Sequence, residues 1–156
     1  MISSCPKLTL CGLILFSMLL ACKPMKTENS GIKGTITWVE GNQMPQIVED
    51  GQKPNPSNSR PVQRKIQVYP LMKISDMKME DGLFVSVMEK AIAEVESGEN
   101  GVFALALPPG KYSLFTVEEN GLFANVFDGE GNAMPITVTE NEWTSITIEI
   151  NYKAVY

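Results

Sequence analysis

The residue of this chain best suited to covalent chemistry is Cys22, because of what precedes it. It ends a Leu-Leu-Ala-Cys run, and a small side chain such as Ala21 fits the cleavage point of a signal peptidase. Upstream, Lys7 is the only charged residue, and the fourteen residues 8–21 are uncharged and mostly apolar. That run is shorter than the roughly 18 residues that a membrane-spanning helix needs. The pattern predicts a bacterial lipoprotein signal peptide over residues 1–21, with lipid on the Cys22 thiol.

A plain secretory signal, in which Cys22 stands at the cleavage point by chance, is the alternative. The match of Leu19, Ala21 and Cys22 to a lipobox favours a diacylglyceryl anchor, whose two acyl chains would hold the mature chain firmly at a membrane. We therefore expect the protein in the bacterial cell envelope, with the outer membrane as the favoured address. Lys23 does not decide between membranes, and no acidic run follows it to indicate export to the cell surface.

Composition excludes several classes of chemistry. The chain has no histidine, which excludes histidine-based acid–base catalysis, Ser-His triads and His-ligated zinc or copper. Cys5 and Cys11 would leave with the signal, so the mature chain could form no internal disulfide and must rely on core packing. The formal net charge of −5 becomes −6 once Lys7 is removed, and this argues against nucleic acid and anionic lipid surfaces as partners. We expect no cofactor and no enzymatic activity.

One acidic segment has part of the spacing of a calcium loop. Asp128, Glu130 and Asn132 alternate as in the first half of such a loop. However, Ala133 stands at the sixth position, where these loops need glycine, and Thr139 stands at the twelfth in place of glutamate. A polar hairpin turn explains the same residues, so we expect no metal site here.

Other candidate groups also have structural explanations. Met72, Met77 and Met79 could bind copper through their thioethers, but without a thiol or imidazole they are expected to pack a loop onto the core. Three aromatic side chains could stack on a sugar ring, yet their strand positions predict core residues: Trp38, Tyr112 and Trp143. Four carboxylates lie at predicted turns, where acids are normally solvated: Glu118, Glu119, Glu140 and Glu142.

An alternation of period two from residue 31 onward predicts β-strands. Ile32, Ile36 and Trp38 share one face of the first strand, and residues 145–152 show the cleanest alternation, with isoleucines at every second position. Further strands are predicted over residues 65–69, 102–107, 112–117, 122–127 and 136–139. About seven short strands with turn signals between them, and no sustained helix, predict an all-β sandwich.

The sequence also predicts the turn types of several connections and the secondary structure of residues 83–95. Asn-Gly pairs at 100–101 and 120–121 predict tight hairpins, and residues 108–111 predict a type II turn with Gly110 at positive φ.

Residues 83–95 fit either an amphipathic helix or a strand. A strand from about Lys90 is favoured, with irregular or short helical chain before it, and it would pair well with 102–107. The nearly continuous apolar residues of 102–107 predict a strand covered on both faces.

Three elements resemble the carboxypeptidase regulatory-like domain. They are Gly31-Ile32-Lys33-Gly34, Gly101-Val102-Phe103 and Leu107-Pro108-Pro109-Gly110-Lys111-Tyr112-Ser113, which match in order the opening strand, hairpin and turn of that family. The resemblance covers roughly residues 31–152 and implies a seven-stranded, transthyretin-like Greek-key β-sandwich without catalytic residues. Residues 38–45 and 112–125, with the turn 128–131, are also similar to a narrower group of small exported lipoproteins in which this domain stands alone.

The connection over residues 40–63 is longer than the short hairpin loop usual in that family. Loops beyond about 12–15 residues are uncommon in compact domains and tend to be functional or disordered. Met44, Ile47, Glu49 and Asp50 could form a partner-binding surface there. A mobile surface excursion is the alternative, and the sequence slightly favours it.

The predicted organisation is a signal peptide over residues 1–21, a tether over 22–30 and one β-sandwich domain over 31–156. The expected function is a membrane-anchored, non-catalytic binding or structural accessory module of the cell envelope, with an envelope protein as a possible partner. The alternative is a lipoprotein that binds a small ligand, carbohydrate or calcium; the sequence does not identify a ligand.

Overall fold

A computed structural model describes residues 29–44 and 59–156. Within these ranges the chain is all-β, with one short 3-10 turn at Ile74–Asp76 and no α-helix. The eleven strands are β1 (Gly31–Asn42), β2 (Arg60–Pro61), β3 (Lys65–Pro70), β4 (Lys78–Glu80), β5 (Leu83–Ser86), β6 (Ala93–Glu96), β7 (Val102–Ala106), β8 (Gly110–Glu118), β9 (Gly121–Phe123), β10 (Pro135–Val138) and β11 (Trp143–Val155). The predicted all-β sandwich is confirmed. The described residues form eleven strands where seven were predicted, because several strands are pieces of two to four residues. In the described part of the chain, no helix is long and apolar enough to cross a membrane.

The smaller sheet has four strands and is organised around β1. Strand β11 pairs with β1 in parallel along nearly its whole length, from Gly31 opposite Trp143 to Asn42 opposite Val155. The other edge of β1 pairs antiparallel with β7 over its first five residues and with the two-residue β2 further along. A bulge interrupts the pairing of β1 and β11 after Trp38.

The larger sheet has seven strands in the order β4-β5-β9-β8-β3-β6, with β10 also pairing with β8. Strand β8 is central, because β3 lies on one edge while β9 and β10 share the other. The Asn120–Gly121 pair joins β8 to β9 as the hairpin that the sequence predicts. Strand β8 buries side chains on both faces, since Ser113, Leu114, Phe115 and Thr116 are all inaccessible in succession.

The core lies between the two sheets and follows the predicted alternation. Ile32, Ile36 and Trp38 of β1 point into it, as do Ile148 and Ile150 of β11. The larger sheet supplies the facing apolar side chains Ile66, Val68, Leu114 and Phe123. Phe84 and Phe115 meet edge to face at 5.5 Å and are buried on the other face of that sheet. Burial of this apolar surface is the main stabilising force available to a domain without disulfides.

Four strand predictions are wrong. The strand predicted over 122–127 extends only over Gly121–Phe123, and Leu83–Ser86 form strand β5 where irregular or short helical chain was expected. Strand β7 is covered on one face only, since Phe103 is buried while Val102 is half exposed. Strand β6 pairs with β3 in the larger sheet, whereas β7 pairs with β1 in the smaller sheet. The Asn100–Gly101 turn is therefore a crossing between sheets and not a hairpin, and Gly101 has the positive φ of 75° that this sharp turn requires.

The connection from β7 to β8 also differs from its prediction. Gly110 is not among the glycines with positive φ, so it does not occupy the third position of a type II turn. The turn is held instead by Tyr112, whose hydroxyl donates a hydrogen bond of 2.8 Å to the carbonyl oxygen of Pro108. This bond anchors the start of β8 to the chain that enters it.

Two opposite ends of the sandwich can be defined along β1. Its 12 residues extend about 36 Å at roughly 3.3 Å per residue. We call the end that contains Ser30, the turn 107–110 and Trp143 the tether pole. We call the opposite end, where residues 40–44 leave and residues 59–64 return, the loop pole.

Candidate binding surface at the loop pole

The long connection begins and ends side by side at the loop pole. Trp38 of β1 pairs with Arg60 of β2, and the Arg60 guanidinium lies 3.5 Å from the Glu40 carboxylate. Both side chains of this ion pair are more than half exposed, so its contribution to stability is small. The pairing of β1 with β2 nevertheless fixes where the connection leaves and returns.

Of the four side chains predicted to form a partner-binding surface, only Met44 lies in the described residues. Its side chain is 51% exposed, and its backbone N–H donates a hydrogen bond of 2.9 Å to Oδ1 of Asn42. Ile47, Glu49 and Asp50 lie outside the described residues, as does Cys22. Met44 therefore places one apolar, solvent-facing side chain at the rim of the loop pole.

Beneath that rim lies a buried carboxylate. The Glu118 side chain is only 2% exposed, and its oxygens lie 3.2 and 3.3 Å from Nε of Arg64. The Thr116 hydroxyl donates to the same carboxylate over 3.1 Å, and the Tyr152 hydroxyl donates over 3.3 Å. The cluster joins the larger sheet, through β8, to the smaller sheet, through β11.

Aromatic rings and cations cover this cluster. Arg64 lies over the Trp38 ring at 5.5 Å, and Lys153 Nζ lies 5.7 Å from both the Trp38 and the Tyr152 ring centres. The Trp38 and Tyr152 rings meet edge to face at 5.4 Å. Such contacts between cations and aromatic faces contribute roughly 0.5–2 kcal/mol each. The loop pole is therefore held by packing and by charge together.

Two side chains at the loop pole, Glu40 and Tyr152, have shifted pKa values. The Trp38 indole lowers the pKa of Glu40 most, and Arg60 and Lys153 lower it further by attraction between charges. No hydrogen bond of ordinary length and angle joins the indole to Glu40, so the buried Trp38 N–H acts on it as a nearby dipole. Burial raises the pKa of the Tyr152 hydroxyl, and the negative charge of Glu118 raises it further.

The arrangement is suited to bracing the pole and not to acid–base chemistry. Glu118 accepts hydrogen bonds from three side chains and is closed to solvent, so a substrate could not reach it. The prediction that Glu118 is a solvated turn residue is wrong, whereas Glu119, Glu140 and Glu142 are exposed as predicted. The missed signal was the alternation within β8, which places Glu118 on the same face as Thr116 and Leu114.

Some of the other residues that were predicted to lie in the core or to pack a loop onto it are buried, and others are exposed. Trp38 and Met72 are buried, and Met77 packs against the core. Tyr112 is partly buried and packs against the core. Met79 and Trp143 are 43% and 39% exposed, which the sequence did not predict. Met79 lies in the short edge strand β4 and Trp143 is the first residue of β11, and at such positions a period-two pattern does not determine which residues the opposite sheet covers.

The Asp128 carboxylate accepts hydrogen bonds from within its own turn, residues 128–132. Oδ1 of Asp128 accepts hydrogen bonds from the backbone N–H groups of Glu130 and Asn132 at 2.9 and 2.8 Å, and Oδ2 accepts one from the Asn132 amide at 2.7 Å. These bonds lower the pKa of Asp128, with the Asn132 side chain contributing most. The bridge between Phe127 and Ala133, which flank the turn, gives it the form of a polar hairpin.

A shallow cleft of about 420 Å³ lies beside this turn, with Leu71, Lys111 and Ile136 among its lining residues. Across residues 29–44 and 59–156, no group of three or more His, Cys, Asp or Glu side chains could hold a metal ion. The hydrogen bonds of Asp128 hold this turn together, and this is a structural reason for the spacing of Asp128, Glu130 and Asn132.

The chain matches no protein-family model, no curated protein and no solved structure.

Proposed function

We propose that this chain is a lipid-anchored protein of the bacterial cell envelope and that its β-sandwich is a non-catalytic binding or structural module. The Leu-Leu-Ala-Cys run that ends at Cys22 supports the anchor, with the outer membrane as the favoured site. The mature domain carries no thiol beyond Cys22 and no imidazole. Its buried carboxylate, Glu118, is used in joining the two sheets and not in an open cleft.

We also propose the finer fold type, a transthyretin-like Greek-key sandwich of the carboxypeptidase regulatory-like kind. The order of the Gly31, Gly101 and Leu107 motifs supports it. The bond from the Tyr112 hydroxyl to Pro108 is a second support, because Greek-key sandwiches often tie a tyrosine back to the backbone a few residues upstream. That domain type implies binding or structural support, with any catalysis in another protein.

The observation that carries the binding role is the braced loop pole. Strand β2 and the cluster of Trp38, Arg64, Glu118 and Tyr152 hold the two ends of the 40–63 connection on a rigid base. Rigid scaffolds that carry long loops are the usual arrangement for recognition surfaces. Met44 supplies an exposed apolar contact at that rim.

The anchor is tested by replacing Cys22 with alanine in the native host. We expect the wild-type protein to begin at Cys22, to carry the mass of an attached lipid and to fractionate with membranes. The Cys22→Ala variant should lack that mass and lose membrane association. Intact-mass spectrometry and membrane fractionation measure both effects, and an unmodified wild-type protein in the soluble fraction would disprove the anchor.

The binding role is tested by replacing residues 46–58 with a short Gly-Ser bridge. Loop length alters closure entropy only slowly, so the β-type circular dichroism spectrum and the melting temperature should stay close to wild type. Arg60 is kept because it belongs to β2. We expect loss of cross-linking to one specific envelope protein that the wild type captures; undiminished cross-linking would place binding elsewhere, and loss of the fold would show that the loop is structural.

A matched pair of point variants refines that experiment. Met44→Ser should weaken capture about tenfold, which corresponds to roughly 1.4 kcal/mol. Met88→Ser removes a methionine that is 90% exposed on the described surface and should leave capture unchanged. Equal effects of the two substitutions would indicate nonspecific adhesion through exposed methionines.

A further inference from the structure

We propose that the tether pole rests on the surface of the anchoring membrane, with the Trp143 ring at the level of zwitterionic lipid headgroups, and that the loop pole faces away. This inference rests on the proposed lipid anchor at Cys22. It adds an orientation and a membrane-contact residue, neither of which follows from the presence of an anchor alone.

The first support is the fixed point at which the tether ends. The Ser30 hydroxyl donates a hydrogen bond of 2.9 Å to the carbonyl oxygen of Leu107, and the Leu107 N–H donates one of 3.1 Å to the carbonyl oxygen of Ser30. Ser30 is buried in this pair of bonds. The membrane attachment therefore joins the domain at a defined place, beside the turn 107–110.

The second support is the length of the tether compared with the length of the domain. Residues 23–30 reach at most roughly 26–29 Å when fully extended. The start of β1 lies about 36 Å from its end at the loop pole. An upright domain with the loop pole on the membrane would need a longer tether than the chain provides, so the upright orientation places the tether pole nearest the lipid.

The third support is what the tether pole exposes. Trp143 is 39% exposed although it begins a strand of the core, and its ring lies over Gly31, the residue that follows the fixed point. Pro108 and Pro109 are exposed in the neighbouring turn. Tryptophan favours the membrane–water boundary because its large ring is apolar while its indole N–H can bond to headgroups.

Charge selects the kind of lipid surface. The exposed carboxylates of Glu140 and Glu142 lie in the turn that leads into Trp143. These carboxylates repel anionic headgroups at short range. Lys33 and Lys111 are also exposed near this pole, but the net charge of the whole chain is −5. The contact is therefore assigned to zwitterionic headgroups.

The two tryptophans of the chain provide probes at different heights. Trp143 pairs with Gly31 and Trp38 pairs with Ile150, so seven residues of β1 separate their levels, or about 23 Å along the strand. Trp38 is buried, with 5% of its surface exposed. A quencher at headgroup depth should reach Trp143 and leave Trp38 unaffected.

The experiment uses the full-length lipidated protein in phosphatidylcholine vesicles, with and without a nitroxide attached at the headgroup. The difference between wild type and Trp143→Phe isolates the emission of Trp143 without altering the core. We expect the nitroxide to reduce that component at least twofold and to leave the emission of Trp143→Phe unchanged. In vesicles with one third phosphatidylglycerol, quenching of Trp143 should be weaker.

Each other outcome overturns a specific statement. A lipidated, vesicle-bound protein whose Trp143 component is unquenched, or whose Trp38 is quenched equally, overturns the orientation but keeps the anchor. Stronger quenching with phosphatidylglycerol overturns the assignment of zwitterionic headgroups. A protein without lipid by intact mass overturns the proposed anchor itself, and that result is read before any fluorescence measurement.

Discussion

Replacing Arg64 with alanine is expected to lower the free energy of unfolding by about 3 kcal/mol, because the change leaves the Glu118 carboxylate buried without its cation. The Glu118 side chain is 2% exposed, and Arg64 Nε lies within 3.3 Å of both its oxygens. The hydroxyls of Thr116 and Tyr152 would remain as donors, but neither carries a positive charge. The substitution also removes the guanidinium from the face of Trp38. Denaturant unfolding monitored by circular dichroism measures the loss.

The neighbouring residue offers a matched control. Lys65 forms an ion pair of 3.6 Å with Glu94, but both side chains are about half exposed. Exposed pairs of this kind contribute roughly 0–1 kcal/mol, so Lys65→Ala should have a small effect. Combining Arg64→Ala with Glu118→Gln should recover part of the lost stability, because the amide carries no buried charge. Equal effects of the two alanine variants would mean that Glu118 is hydrated in solution and that the cluster does not brace the loop pole.

Replacing Gly34 with alanine is expected to destabilise the domain by about 3 kcal/mol or more, because overpacking against backbone cannot be relieved by a change of rotamer. Gly34 is the fourth residue of β1 and lies directly opposite Ile146, the fourth residue of β11. A Cβ atom there would overlap the carbonyl oxygen of Ile146 and lie 2.9 Å from its carbonyl carbon. The two longest strands would have to separate near their first residues, at the tether pole. We expect a large fall in melting temperature or a failure to fold.

Gly129→Ala provides the control, since no atom lies within 4 Å of the Cβ position there and the residue is not at positive φ. Its melting temperature should match that of the wild type. If Gly34→Ala yields no folded protein while Gly129→Ala folds normally, the overlap with the Ile146 backbone accounts for the difference. A stable Gly34→Ala protein would show that β1 and β11 lie further apart in solution than in the structure.

The sequence by itself determined the longer strands and the apolar side chains of β1 and β11 that face inward, but not the short strands β2, β4 and β5. The alternation at Ile32, Ile36 and Trp38, and again at Ile148 and Ile150, needs only the period of two that every strand shares. The proposed lipoprotein signal over residues 1–21, followed by Cys22, is likewise a local pattern, which a peptidase would recognise in an extended chain. Local patterns of this kind do not depend on which other strands lie nearby.

Only the tertiary structure decided which strands are neighbours. Strands β6 and β7 are joined by a short turn at Asn100–Gly101, yet they pair with β3 and β1 in different sheets. The period of two is the same whichever strand a segment pairs with, so it could not exclude a hairpin. The decision depends on contacts between residues far apart in the sequence.

The same reason explains the buried charge and the two poles. Glu118 looked like a turn residue because its partners, Arg64 and Tyr152, lie 54 and 34 residues away. The exposure of Trp143 likewise follows from the position of β11 beside the start of β1. Alternation determines the face on which a side chain lies, but what covers that face is decided by the packing of one sheet on the other.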